Sequence, residues 1–558
     1  MRHPHLTLAD THEVLNQVPP LAGYDTAADA ALLAALDREG AGWAEPELHQ
    51  LGLLAGTADT QELARLANVY KPVLRTHDPR GHRIDEVEFH PAWHQLMTTA
   101  VGHGLHAAPW TDATPGAHVA RAAKFIVWTQ AEAGHACPIS MTYAIVPALR
   151  HAPDLAASYE PLLTATTYDP GLRVPAQKAG LLAGMAMTEK QGGSDVRANT
   201  TRAEPAGDGT YLLTGHKWFC SAPMCDLFLV LAQAAEGLTC FLLPRVLPDG
   251  TRNAMHIQRL KDKLGNTSNA SAEVEYRQAV AWPVGALGRG IATILEMVSA
   301  TRLDCVLGSA ANIRQACVAA THHARHRSAF GHKLVDQPAM TAVLADLTLE
   351  SEAASTLALR LAGAADRAAR GDAQEAALLR LALPAAKYWV CKRSPMITAE
   401  ALECLGGNGY IEESVMPRLL RDSPLNSIWE GSGNVTALDV LRALGRSPDS
   451  ADALLAEIDL AADDRLVAAA AARLRTELKD AQDAGAAAQR HARRLAGLIT
   501  LTLQAALLSR CAPAAVWTAF AGSRLGEAAE AGPGTPFGTL ADNLDISAIA
   551  ERSAIDCR

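Results

Sequence analysis

This chain lacks any apolar run long enough to cross a bilayer. The longest near its end, residues 495–509, falls short of the roughly 20 residues a spanning helix needs and is flanked by Arg494 and Arg510. It reads as a buried core helix, with no membrane partner. Cysteine is scarce: ten in 558 residues, scattered, with no C-x-x-C pair. No disulfide framework is expected, and the protein reads as reduced, soluble and cytoplasmic. The first residues show no apolar stretch behind a basic start, so no signal peptide is expected. Positive charge is not in excess. Fifty Lys and Arg face sixty Asp and Glu, a net charge of -10, which excludes a generally basic coat but not a local basic patch. Aromatics are only 5% of the chain, and alanine is abundant in the second half, a composition that favours helix. No internal repeat or long low-complexity tract is present.

What is present is a hydrophobic fraction of 49% and a charged fraction of 20%, a globular balance. The length suggests several domains. Up to about residue 180 the chain reads as helices joined by Pro-containing connections. Pro91 stands near the first turn of one of them, where its missing N–H costs nothing. From Leu182 onward β-branched and aromatic runs are cut by turn pairs. Tyr211-Leu212-Leu213-Thr214-Gly215, Leu227-Phe228-Leu229-Val230-Leu231 and Thr239-Cys240-Phe241-Leu242-Leu243 read as strands, and Asp208-Gly209 and Asp249-Gly250 as turns. Residues 271–276 alternate as a half-buried strand does. Helical periodicity then returns over 291–319, 340–370 and 373–392. A last helical segment is punctuated at Gly532-Pro533-Gly534-Thr535-Pro536. The expected domains are an N-terminal helical domain (1–180), an antiparallel β domain (181–285), a helical bundle (286–446) and a helical extension (447–558). Blocks of one element type argue for an α+β fold rather than a doubly wound α/β one.

Five segments carry candidate chemistry. In Met187-Thr188-Glu189-Lys190-Gln191-Gly192-Gly193-Ser194-Asp195-Val196 two glycines allow close backbone approach to a ligand, and two hydroxyls can bond it. Alone, such a loop is more often ordinary. In Gly215-His216-Lys217-Trp218-Phe219-Cys220-Ser221 the ring of Phe219 and the hydroxyl of Ser221 share one strand face. Arg327, near a helix end and followed by Gln337, is suited to a phosphate, or simply complements the helix dipole. The fourth segment is Leu405-Gly406-Gly407-Asn408-Gly409. The fifth is Asn426-Ser427-Ile428-Trp429-Glu430-Gly431-Ser432-Gly433-Asn434. Burial beside Trp429 would raise the Glu430 pKa toward working pH, although a glutamate there more often serves a helix N-terminus.

In this order and spacing the segments resemble the acyl-CoA dehydrogenase family, and most closely its AidB-like branch of alkylation-response flavoproteins. Arg38-Glu39-Gly40-Ala41-Gly42-Trp43, Arg65-Leu66-Ala67-Asn68-Val69 and Leu260-Lys261-Asp262-Lys263-Leu264-Gly265-Asn266 carry the likeness to that branch. The resemblance covers nearly the whole chain and weakens after about residue 450. It implies the acyl-CoA dehydrogenase fold and FAD, with Glu430 matching the catalytic base. Cofactor positions carried over are Met187, Thr188, Glu189, Gly193, Ser194, Phe219, Ser221, Arg327, Gln337, Gly406, Gly407, Ile428, Ser432 and Asn434. Arg327 and Gln337 match positions that commonly reach across a subunit boundary, and the family is usually a homotetramer. Where some branches place the base on an earlier helix this chain has Thr301-Arg302, with Asp304 a weaker candidate. Lys190 replaces the usual Pro, and Phe219 the usual Trp.

The resemblance also implies a face for double-stranded DNA on the C-terminal extension. From residue 445 to the end there are twelve Lys and Arg against fifteen Asp and Glu, so no net basic excess supports it. A local stripe of Arg473, Arg475, Lys479, Arg490, Arg493 and Arg494 suits phosphates without reading bases, or is a solvated helix face. His322 and His326 share a helix face, but neighbouring Arg325 and Arg327 disfavour a cation, so no metal is expected. Three readings stay open: an AidB-like FAD protein of the alkylation response, an acyl-CoA dehydrogenase for a short or branched acyl chain, and a DNA-binding protein with a structural flavin.

Overall fold

The computed structural model describes residues 11–526 and 537–557. The Gly532–Pro536 punctuation and the first ten residues lie outside that range. Helix placement follows local chemistry. Pro91 opens the helix Pro91–Gly102, and the His90 side chain caps it by accepting from the Ala92 N–H. Asp372 caps the helix Ala373–Glu403 by accepting from the N–H groups of Gln374 and Glu375. Among the described residues the N-terminal part is helical except for one hairpin, Val73–His77 paired with Arg83–Glu88, which the sequence reading passed over. Its turn is built by Asp78, whose carboxylate accepts from the N–H groups of Arg80 and His82, and by Gly81 at φ +87°.

The central domain is a seven-stranded sheet in the order Ala183–Ala186, Leu227–Ala234, Arg202–Pro205, Tyr211–Ser221, Ser271–Val284, Gly237–Pro244, with Met255–Leu260 pairing Ser271–Val284. It is antiparallel except where Ala183–Ala186 runs parallel to Leu227–Ala234 and where Arg202 lies parallel beside Gln233. Three long helices follow: Gly290–His326, Pro338–Ala369 and Ala373–Glu403.

Two cores result. One unites the β domain with the helix Ala136–Leu149 and with Ile294, Met297 and Val298 of Gly290–His326. The other unites the N-terminal helices, the bundle and the extension. The helix Gly290–His326 therefore runs from one core into the other, and Thr301 and Arg302 sit at the crossing. The expected core helix at 495–509 is there, within Ala492–Cys511, and it packs into the bundle core. Buried ion pairs fasten the extension: Arg524 to Asp346 and Glu350, with Arg393 on the same Glu350. Among the described residues no helix is long and apolar enough to cross a membrane, and the ten cysteines are all free.

Candidate active site

Glu430 lies in a tight turn between Leu425–Ser427 and the helix Gly433–Arg446. It is left-handed, at φ +57°, and is followed by Gly431 at φ +105°. A left-handed glutamate is costly unless its surroundings hold it. Here they do. The Lys387 ammonium donates to the carbonyl oxygens of Trp429 (2.7 Å) and Gly431, and Arg302 Nε donates to the Glu430 carbonyl at 2.9 Å. Trp429 Nε1 donates to Asn426 Oδ1 at 2.9 Å. Arg302 is itself paired with Asp439 at 2.7 Å, and Asp439 with Arg380.

The Glu430 side chain is half-buried, and its Oε2 stands 2.8 Å from Thr301 Oγ1. That hydroxyl also lies 3.1 Å from the Val298 carbonyl. It can donate to an ionised Glu430, or accept from a protonated one while donating to the helix, so both protonation states are accommodated. Burial raises the Glu430 pKa above the ordinary glutamate value. The Thr301 bond and the charges of Lys387 and Arg302 work against that rise. Glu430 does not cap the following helix. Asp304 is consumed elsewhere, in a buried bidentate pair with Arg121.

The loop after Ala183–Ala186 is built on a buried anion. Glu189 and Lys217 are both wholly buried and pair at 2.9 Å. Glu189 also accepts from the N–H and hydroxyl groups of Thr200 and Thr201 and from Gln191. Its carboxylate is thus the internal anchor of the loop, not a group turned toward a ligand. Gly193 is required by packing: a Cβ there would stand 2.4 Å from Thr188 Oγ1. The Thr188 carbonyl accepts from Trp218 N–H, which ties the loop to the strand Tyr211–Ser221. On that strand Cys220 points into the core, whereas Phe219 is 51% exposed and Ser221 is half-buried, 3.3 Å from Ser271 Oγ. Lys261 lies against this edge, its Nζ 4.7 Å from the Phe219 ring centre.

Ile428 is 61% exposed beside the Glu430 turn. Ser432 precedes the helix Gly433–Arg446, and Asn434 Oδ1 accepts from Arg493 Nε at 2.8 Å. The remaining expected positions lie elsewhere. Arg327 is twenty-five positions beyond Arg302 at the far end of the same helix, about 38 Å away at ~1.5 Å per residue. There its guanidinium bonds the Asn16 carbonyl, and Gln337 bonds the Ala329 carbonyl across the hairpin whose tip is Phe330. Cys391 bonds the Cys305 carbonyl, while Ser394 and Thr398 bond Asn312. The two helices therefore run in the same direction, and Gly406 and Gly407, just past Glu403, belong to the Arg327 end. Nothing lies within 4 Å of a Cβ built on either glycine, and Gly406 is at φ +58°. One chain thus gathers Thr301, Arg302 and Lys387 around the Glu430 turn and leaves the Arg327 set at the far end of the same helix.

The expected DNA stripe is partly engaged within the protein. Arg475 pairs with Asp459, Arg494 with Glu477, and Arg493 reaches Asn434. Arg473, Lys479 and Arg490 are exposed and make no ion pair among the described residues. His322 bonds the Pro19 carbonyl and His326 the His322 carbonyl.

Family models match most of this chain: the Adaptive response protein AidB N-terminal domain over residues 16–170, the acyl-CoA dehydrogenase middle domain over 184–279, and the acyl-CoA dehydrogenase C-terminal domain over 288–445. The putative acyl-CoA dehydrogenase AidB of Escherichia coli (strain K12) is 50% identical over 484 residues, 85% of this chain and 88% of that protein. The chain belongs to the acyl-CoA dehydrogenase family, in its AidB-like branch. Caenorhabditis elegans ACDH-11, solved in complex with C11-CoA, superimposes with a TM-score of 0.83 at 25% identity, over 99% of this chain and 95% of that one. An acyl-CoA dehydrogenase from Bacillus anthracis, solved with FAD, shares the fold at TM-score 0.63 and 19% identity, over 78% and 77% of the two chains.

Lys387 was missed by sequence reasoning. The signal that would have found it is a lone lysine inside the apolar run Leu383-Pro384-Ala385-Ala386-Lys387-Tyr388-Trp389, which no solvated helix face explains.

Proposed function

We propose that this protein is an FAD-holding oxidoreductase of the acyl-CoA dehydrogenase type, in which Glu430 removes the α-proton of an acyl thioester. The observation that carries this reading is the Glu430 carboxylate itself. It is half-buried, raised above its ordinary pKa, aimed by a hydroxyl and held in a left-handed turn by two cations. A base tuned upward by burial matches proton transfer near neutral pH.

The residues present fit FAD. Phe219 offers a flat apolar face beside the Ser221 hydroxyl, Ile428 a second apolar surface, and Thr188, Ser194 and Ser432 supply hydroxyls. The open backbone at Gly406 and Gly407 suits a diphosphate. When bound, FAD supplies the acceptor for the β-hydride. The chain's own part is to hold the thioester between Glu430 and the Phe219 edge, accept the proton on Glu430, and exclude bulk water. Since Arg327, Gln337, Gly406 and Gly407 stand far from Glu430 within one chain, a neighbouring copy completes each cofactor site. The assembly is then an obligate oligomer, a homotetramer on the family pattern, and the reduced thiols suit the cytoplasm.

The test is anaerobic mixing with a panel of acyl-CoAs. The parent flavin band bleaches, with short or branched chains the first candidates. Glu430→Gln keeps its FAD and does not bleach. A Glu430→Gln protein that bleaches at the parent rate sinks the reading.

A role in the response to DNA alkylation is the second reading, supported by the relation to the adaptive-response protein and by exposed Arg473, Lys479 and Arg490. Binding of duplex DNA that weakens with salt and is lost when these three are neutralised supports it. Salt-independent or absent binding rules it out.

A further inference from the structure

The buried cation behind the Glu430 turn is the feature that neither the fold nor the proposed chemistry explains by itself. Lys387 lies mid-way along Ala373–Glu403 with 1% of its surface exposed, and among the described residues it makes no ion pair with a carboxylate. Burying an ammonium with no carboxylate partner is costly. Its partners are the carbonyl oxygens of Trp429 and Gly431, on either side of Glu430. We propose that Lys387 is the positioning residue of the base: it holds the 429–431 turn left-handed and places a fixed positive charge behind the Glu430 carboxylate.

Two observations separate this from a purely structural role. A neutral amide carries two N–H donors and offers bonds to carbonyl oxygens without the cost of a buried charge, so hydrogen bonding alone does not call for lysine. And Glu430 is the carboxylate on which that charge acts, opposing the effect of burial. The groups facing Glu430 are few. Thr301 and Arg302 come from Gly290–His326, with Arg302 already committed to Asp439. Cys305 on the same helix and Cys137 on Ala136–Leu149 are near enough to feel the Glu430 charge; burial pushes both thiols up, so they stay neutral. Among the described residues Lys387 is therefore the one nearby cation not already shared with an acid.

The inference rests on Glu430 being the base, and the experiment keeps the two apart. Lys387→Met and Lys387→Gln are compared with the parent and with Glu430→Gln in FAD-loaded protein. Three quantities are read: flavin retained, bleaching rate against pH, and the infrared carboxyl band of Glu430 against pH without substrate. Lys387→Met retains flavin, loses on the order of a hundredfold in bleaching rate, and its acid limb and carboxyl titration both move to higher pH. Lys387→Gln regains part of the rate, because it keeps a donor, but its titration stays displaced. If Lys387→Met does not fold, Lys387→Gln alone decides, since it preserves a donor while removing the charge. An unmoved titration and a parental rate in Lys387→Gln overturn the proposal. If Glu430→Gln is dead while the Lys387 variants behave as the parent, only the Lys387 inference falls. If Glu430→Gln bleaches normally, the base reading falls and this one with it.

Discussion

Replacing Lys217 with Met tests whether the Met187–Ser194 loop stands on a buried ion pair. Lys217 and Glu189 are both wholly buried, so the substitution strands a carboxylate with no solvent to turn to. Removing one partner of a buried pair costs roughly 3–5 kcal/mol. Glu189 keeps its bonds from Thr200, Thr201 and Gln191, which argues for the lower end. Lys217 also donates to the Leu231 carbonyl at 2.8 Å, and that bond is lost too. The expected loss is therefore about 3 kcal/mol, read as a lower urea midpoint by tryptophan fluorescence. The double variant Lys217→Met/Glu189→Gln recovers part of it, because the stranded charge is gone. The pH dependence has a definite sign. The bonds from Lys217 and Thr201 hold the Glu189 carboxyl well below the usual carboxylate range despite its burial. A carboxyl depressed in the folded state contributes stability that is full above its unfolded pKa and is lost as the pH falls below it. The gap between parent and variant narrows on acidification below about pH 4. A single variant within 1 kcal/mol of the parent at pH 7, with no recovery in the double, would refute the argument.

Two further outcomes follow from the same geometry. Gly193→Ala drives a methyl to 2.4 Å from Thr188 Oγ1, so the loop shifts and flavin is released more readily on dilution while the far-ultraviolet circular dichroism stays parental. Asp422 is buried, accepts from the Asn266 N–H at 2.6 Å, and is raised to about 6 by burial. A carboxyl raised in the folded state favours folding below its unfolded pKa, and that contribution fades as the pH rises through about 6. Asp422→Asn keeps the acceptor and removes the charge, so it stabilises the protein at pH 8 relative to pH 4, by up to about 3 kcal/mol; equal effects at both pH values would contradict this.

What the sequence made legible was local or covalently contiguous. The strands Tyr211–Ser221, Leu227–Ala234, Gly237–Pro244 and Ser271–Val284 announced themselves by β-branched and aromatic runs and turn pairs, and the long helices by their periodicity, whereas Met255–Leu260 was passed over. Glu430 was legible because the residues beside it, Trp429 and Gly431, travel with it in the chain. The hairpin Val73–His77/Arg83–Glu88 was passed over because its strands are short and charged, and most of its residues stay at least partly exposed. No apolar alternation marks such a strand, and only the Asp-Pro-Arg-Gly turn does. Glu189 was legible as a loop residue but not as the loop's anchor, since its partner Lys217 is twenty-eight positions away.

The Glu430 turn carries the same lesson into the chemistry. Its left-handed backbone is strained, and the groups that hold it, Arg302 and Lys387, lie 128 and 43 positions back in the chain. Spacing within a motif does not encode a cation delivered from a different helix. The same distance rule explains Arg493. In the sequence it belongs to a basic cluster and suggests phosphates, whereas in the fold its exposed side chain also donates through Nε to Asn434, four residues past Glu430. The extension is therefore bonded directly to the first turn of the helix that follows the Glu430 turn.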